Sequence, residues 1–305
     1  MKQRDKILEA VRLVPTMPVA AVEVVRLLED MDVPMEKIVR AVEHDPGLTS
    51  NLLRLANSPF FATKREVGSV REAAMQLGMN WMFQMVIGTV ISPLTHQRIK
   101  GYDMPPGQLL THSVAVAEGA EQIARVLRVK VPHYLFTAGL LHDLGKVVLG
   151  TFVAVDTSPI TALCREEDLS FEEAEKQILG IDHAEVGAEL LHWWKLPEAV
   201  AEAVHWHHQP EKFSGDTTVV DLVHVADNLA LLCGLGIGSD GLRYRPSWQA
   251  AERLALSAEQ AELAVCEVMS KLEEWRGLLS GSPGKNEAAD EQLTTTTKNT
   301  KNTKF

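Results

Sequence analysis

The sequence predicts an all-α fold, and three observations carry that expectation. Apolar residues recur near the helical period along most of the chain. Four Ser or Asp residues stand three positions before a Glu or Gln, the spacing of a capping box, and sustained strand alternation is nearly absent. With 305 residues the chain can bury a large core, and its length reads as two domains.

Residues 1–95 read as short helices. Pro18 stands near the start of the stretch Val19 to Leu28, where a missing N–H costs little. Glu36 to Val42 is a second periodic stretch. Asp45-Pro46 restarts the chain into Leu48, Leu52, Leu53 and Leu55, a run that Asn57-Ser58-Pro59-Phe60-Phe61 breaks. Ser69 and Glu72 open the next helix, which runs through Met75 and Leu77 to Gly78. Trp81 to Ile91 is apolar almost throughout and reads as a buried helix, too short to span a bilayer.

The polar break Gly101-Tyr102-Asp103-Met104-Pro105-Pro106-Gly107 sets the expected boundary between a helical bundle over 1–100 and a second helical domain over 101–280. In the second domain helices are expected at about 108–128, 132–148, 171–178, 183–193, 197–207, 218–233 and 257–279. The pairs Ser170/Glu173, Asp182/Glu185 and Ser257/Gln260 fit capping boxes at three of those starts. Residues 281–305 have almost no apolar content and a Thr/Asn/Lys repeat, so a disordered tail is expected there.

The net charge of -11 argues against broad adhesion to nucleic acid or anionic lipid. No long apolar segment opens the chain and no window reaches eighteen uninterrupted apolar residues, so a cytoplasmic protein that does not enter a membrane is expected. Cys164, Cys233 and Cys266 are odd in number and widely spaced, which predicts reduced, mostly buried thiols and no disulfide framework.

Function is written in the histidines. Of the eleven, His44, His96, His133, His192 and His224 fall outside the informative group, and His205 is its weakest candidate. His142-Asp143 follows the apolar helix end LFTAGLL, and an adjacent imidazole and carboxylate reach one metal if the backbone turns there, as Gly145 permits. Lys146 stays on the same side of the helix and could neutralise a phosphate oxygen. The plainer reading is a helix C-cap pair with Lys146 in ordinary dipole pairing.

His112 lies thirty residues earlier, near a helix start, and Asp227 interrupts the apolar run VHVADNLA, where burial without a partner is costly. An exposed stripe is the alternative for Asp227. His183 opens one helix, and His207-His208 closes another that Gln209-Pro210 ends. Packing around Trp193, Trp194 and Trp206 accounts for His192 and His205 but not for the whole set. The group His112, His142, Asp143, His183, His207, His208 and Asp227 offers five imidazoles and two carboxylates. That set suits a divalent transition metal, with Fe or Mn favoured and Ni or Zn also accepted. It exceeds one tetrahedral site and suits two ions, with Asp143 the natural bridge.

At this point the pattern resembles a known family. His112, then His142-Asp143, then Asp227 resemble the signature of the HD phosphohydrolase superfamily, and His183, His207 and His208 resemble the metal-rich version in HD-GYP phosphodiesterases, where Lys146 would match a lysine that contacts phosphate. The N-terminal stretches VPTMPVAAVEVVRLLED, IVRAVEHDPGLTSNLLRLANSPFF and VGSVREAAMQLGMNWM are similar to the HDOD pattern, a module of bacterial signalling. The resemblance extends over about 10–235 and implies an N-terminal bundle packed on an HD-like helical core. Many HDOD members lack HD ligands, whereas here the set is complete. Against HD-GYP enzymes, Gln209 to Asp216 lacks both the Glu after the histidines and the Gly-Tyr-Pro triplet, which removes much of the case for cyclic di-GMP as substrate.

The first functional expectation is therefore a signal-transduction output protein with a metal-binding HD-like core that acts by contact with an unidentified signalling protein. The alternative is a metal-dependent phosphohydrolase or phosphodiesterase acting on a phosphate-containing small ligand. In it Asp143 and Lys146 would be the catalytic pair, and Trp206 or Phe213 would flank a base. A helical scaffold without metal is the third reading. The apolar N-terminal helices also suit a homodimer, and no nucleic acid or membrane partner is expected.

Overall fold

The computed structural model describes residues 3–27, 30, 32–57, 66–241 and 243–280. The expected break at 58–61 and the expected disordered tail at 281–305 lie outside the described residues. The fold is all-α, as the sequence predicts. The N-terminal helices are α1 (Gln3–Val11), α2 (Val19–Leu27), α3 (Met35–Glu43), α4 (Pro46–Ala56), α5 (Val70–Leu77) and α6 (Met79–Thr95). Then come α7 (Gln108–Leu127), α8 (Leu135–Leu141), α9 (Leu144–Val147), a π-helical turn at Val148–Val153, α10 (Ser158–Glu166) and α11 (Phe171–Leu179). The remainder is α12 (His183–Trp193), α13 (Glu198–Trp206), α14 (Thr218–Leu232), α15 (Trp248–Leu254) and α16 (Ala258–Ser280).

Helix starts follow the caps. Ser69 accepts from the Glu72 N–H and Asp182 from the Glu185 N–H, while Ser170 and Glu173 form a complete capping box. Ser257 and Gln260 bond reciprocally before α16. Each such cap contributes about 1 kcal/mol by satisfying a donor that the helix leaves open.

Ile7, Val24, Ile38, Leu52, Met82 and Ile87 are buried on the N-terminal side, and Val116, Leu140, Leu141, Val204 and Leu222 on the other. They belong to one continuous apolar cluster. The stretch Leu135–Val153 is long and apolar enough to cross a membrane, but 83% of it is buried inside the protein, as befits a core helix. The 101–107 segment that reads as a polar break carries buried Tyr102 and Met104, because Ile99 pairs with Met104 and folds the segment back onto the core.

The thiols need a correction. Among the described residues all three are free, yet only Cys164 is buried, while Cys233 and Cys266 are exposed. Apolar neighbours in sequence misled here, because the end of α14 and the outer side of α16 face solvent.

Candidate metal centre

Six helices converge at the middle of the second half. Helix α7 supplies His112, the junction of α8 and α9 supplies His142 and Asp143, α12 opens with His183, and α14 carries Asp227. Helix α13 ends at Trp206, His207 caps it with helical backbone angles, and the side chains of His207 and His208 are both buried. All seven side chains are buried, His208 being the most exposed at 8%.

The close approach of α9 to α12 rests on Gly145. Its backbone is not in the left-handed region, so the expectation that glycine serves a turn here is replaced by a steric reason. A Cβ at this position would stand 1.8 Å from the His183 carbonyl oxygen and 2.8 Å from the Gly187 nitrogen.

Most of the rings are locked by their outward nitrogens. The Nδ1–H groups of His142 and His207 donate to the carbonyls of Gly139 at 2.7 Å and Val204 at 2.6 Å, and that of His112 to Leu235 at 3.1 Å. The Nδ1 of His183 donates to Glu175 at 2.6 Å. Donation through Nδ1 fixes the tautomer and leaves each Nε2 lone pair free to bind an ion.

Those inward atoms meet around Asp143. Its Oδ2 is 3.4 Å from Nε2 of both His112 and His142, while its Oδ1 is 3.4 Å from His183 Nε2 and 3.9 Å from His207 Nε2. Asp227 Oδ1 is 3.1 Å from His112 Nε2, and its Oδ2 is 3.9 Å from His208 Nδ1. The Nε2 atoms of His183 and His208 face each other at 2.8 Å.

Two groups result, Asp143 with His183, His207 and His208, and His112 with His142 and Asp227, each with ligand atoms within 4.8 Å of one another. The two oxygens of Asp143 point one to each group. Nε2 of His112, His142 and His207 and Oδ1 of Asp143 are buried without a hydrogen-bond partner, while Asp143 Oδ2 faces the Lys146 ammonium at 2.8 Å. Orphaned buried polar atoms are costly, and their convergence fits divalent cations bound through nitrogen and oxygen.

The electrostatics agree. Burial opposes a charged His112, but the facing Asp143 and Asp227 carboxylates outweigh it and raise the imidazole to about 9. Burial likewise opposes charge on His183, and Glu175 overcomes it to reach about 9. Burial, with other imidazoles close by, holds His207 and His208 well below the usual range. Burial works against ionised Asp227, yet His112 and His142 bring it down to about 2. Asp227 is thus ionised and His207 and His208 are neutral, the states that bind a metal, whereas His112 and His183 carry protons that a bound cation would have to displace.

Several residues around the centre escape sequence reasoning. Glu175 of α11 accepts from both the backbone N–H and the Nδ1–H of His183, and from the Tyr102 hydroxyl. Lys146 is fully enclosed, with Nζ 2.8 Å from both Asp143 Oδ2 and Asp240 Oδ2. Its ammonium, which the sequence offers to a phosphate, is therefore held between two carboxylates. Asp240 also accepts from the Tyr244 hydroxyl, and the Tyr244 ring stacks on His208 with centroids 4.4 Å apart.

The described residues of the loop 234–247 thereby roof the centre. Gly236, with φ at +80°, lies so close that a Cβ would be 2.4 Å from the Cβ of His112. His224, set aside as a ligand, donates through Nδ1 to the His207 carbonyl and accepts from the Ser247 N–H, tying that loop to the histidine pair. His205 instead packs on Trp206 with ring centroids 4.4 Å apart, and His192 pairs with Glu198 at 3.0 Å.

Comparison with known proteins agrees with this architecture. The family model of the HDOD domain matches residues 14–210. A crystal structure of an HDOD domain protein of unknown function from Geobacter sulfurreducens is 27% identical, with a TM-score of 0.67, covering 90% of this chain and 97% of that one. A protein from Marinobacter aquaeolei provisionally described as a signal transduction protein shares the fold at 21% identity and a TM-score of 0.70, covering 91% of this chain and 66% of that one. An uncharacterized protein of Treponema pallidum is 25% identical over 221 residues. That match takes in 70% of this chain but only 42% of the relative's length.

Proposed function

Because the chain belongs to the HDOD domain family and brings seven histidine and aspartate side chains to one buried point, we propose that it is a signal-transduction output protein built on a metal-binding HD-like core. His112, His142, Asp143, His183, His207, His208 and Asp227 hold two divalent transition-metal ions, Fe or Mn by preference, with Asp143 shared between them. The bundle over 1–100 offers the contact surface, where Leu13, Val19 and Met75 stand exposed, and the domain over 101–280 carries the ions. The partner is a separate signalling protein, and a second copy of the chain is the other candidate for that surface.

The observation that carries this reading is closure. A catalytic ion needs an open coordination position and a path for substrate. Here every proposed ligand is at most 8% exposed, the loop 234–247 covers them, and Lys146 is engaged by Asp143 and Asp240. Such ions rigidify the core and report their own occupancy to the helices they join. Binding that is present only in the folded state stabilises it by mass action.

The completeness of the ligand set and the shared Asp143 favour a second reading, a phosphohydrolase. The ions would then supply an activated water and neutralise phosphoryl charge. Asp143 and Lys146 would be the working side chains, Lys146 turning from Asp240 to a phosphate oxygen, and the loop 234–247 would have to lift.

Phosphate release from nucleotides, cyclic dinucleotides and simple phosphodiesters, measured on protein of known metal content, separates the two. No turnover by the metal-loaded chain, or by an Asp240→Asn variant that leaves Lys146 paired with Asp143 alone, is expected. Turnover that vanishes in Asp143→Ala would overturn the signalling reading in favour of the enzyme.

A further inference from the structure

A centre so largely buried must still acquire its ions, and among the described residues a cavity reaches the edge of it at His208. About 110 Å³ in volume, it is lined by side chains of α11, α12 and α13 and by the turn after α13. One of its lining residues is His208, the most exposed of the seven proposed ligands. Glu172, Asp182, Glu185 and His205 also line it.

Most of the charged atoms in this cavity are already matched. Lys176 pairs with Glu185 and lies 3.9 Å from Asp182, Lys212 donates to Gln209 at 2.8 Å, and Asp182 caps the Glu185 N–H. Glu172 is the exception. Its Oε1 accepts from the Ser170 hydroxyl at 2.6 Å, but its Oε2 is buried without any partner, in a residue only 5% exposed.

An unpaired carboxylate oxygen kept out of water is costly unless a proton or a metal cation meets it. The adjacent donors are oxygen and imidazole, the set that borderline divalent ions accept. We infer that this cavity is a docking site for an incoming divalent metal ion, with Glu172 as its first protein ligand and His208 the residue that passes the ion inward. An ion there exchanges water for protein donors in steps, so that it is never stripped at once.

The inference rests on the metal reading of the centre but assigns residues outside it. It is tested on zinc-loaded protein in excess zinc of a different isotope, with exchange followed by mass spectrometry in the wild type, Glu172→Gln and Glu185→Gln. The docking site predicts exchange slowed about tenfold in Glu172→Gln, the low end of what a focused charge gives, and less in Glu185→Gln. Zinc content at saturation stays unchanged in both. Equal exchange rates in all three proteins would overturn the docking site and leave the centre standing. Lower zinc content in Glu172→Gln at saturation would make Glu172 part of the centre, which also overturns it. A wild type that retains no zinc removes the metal reading itself, and the docking site with it.

Discussion

Replacing Gly145 by Ala tests how the centre is assembled. In a helix the change ordinarily stabilises by up to about 1 kcal/mol, because alanine loses less backbone entropy. Here the new Cβ would meet the His183 carbonyl oxygen at 1.8 Å, where real Cβ contacts essentially never fall below 3.0 Å, and both neighbouring blockers belong to backbone. Relief requires α9 and α12 to part by roughly 1.2 Å, since no flexible side chain can give way. Overpacking of this kind costs about 3 kcal/mol, which lowers the melting temperature of a chain this size by roughly 5–10 °C. The same movement carries Asp143 away from His183, now 3.4 Å from it, so metal affinity should fall on the order of tenfold to a hundredfold. Thermal melting and elemental analysis after gel filtration read both effects. A variant that melts within a degree of the wild type with full metal content would refute the packing argument.

Other substitutions probe other links. Asp143→Ala should release most bound metal and destabilise the core by about 3–5 kcal/mol, because it strips oxygens from both ligand groups and leaves Lys146 to Asp240 alone. Full metal retention with an unchanged melt would contradict a dinuclear centre. Glu175→Gln keeps the shape but removes the charge that His183 Nδ1–H faces, so chelator competition should show affinity about tenfold lower or more, with the chain still folded. Glu121, pushed up to about 7 by burial and then by neighbouring Glu118, gives a test against pH. Its folded-state pKa lies above the ordinary value of 4.5, so the proton is held more tightly in the folded chain. Stability from this group is full at low pH and is lost as pH rises from about 4.5 through 7. Glu121→Gln should therefore gain about 1–3 kcal/mol at pH 8 and little at pH 4, judged by urea midpoints. An unchanged pH slope would remove Glu121 from that role. Glu172, at about 7, keeps part of the slope in the variant.

Much of this was legible in the sequence because local signals and global fold agree. The caps at Ser69, Ser170, Asp182 and Ser257 mark helix starts that the structure contains. Helices α10 and α15 went unread, being short, and α1 was not singled out among the expected N-terminal helices, four of the nine residues of QRDKILEAV being charged. All seven proposed ligands meet, since imidazole and carboxylate in apolar helical runs are conspicuous wherever they fall. What could not be read is whatever depends on distant pairing. Asp240 lies 94 residues from the Lys146 it holds, and Glu175 looks like one more acid on an amphipathic helix until α11 packs beside α12. The loop GLGIGSDGLRY carried one usable signal. So many glycines between two helices mark a backbone that approaches something closely, here His112.

The most direct measurement is the metal content of the wild-type chain, purified without chelator, supplied with iron or manganese and passed through gel filtration before elemental analysis. Two bound ions per chain, lost together in Asp143→Ala, are the result that two ligand groups joined by one aspartate predict. Metal at the level of the buffer in the wild type, with the chain folded and stable, would contradict a metal centre at these seven residues.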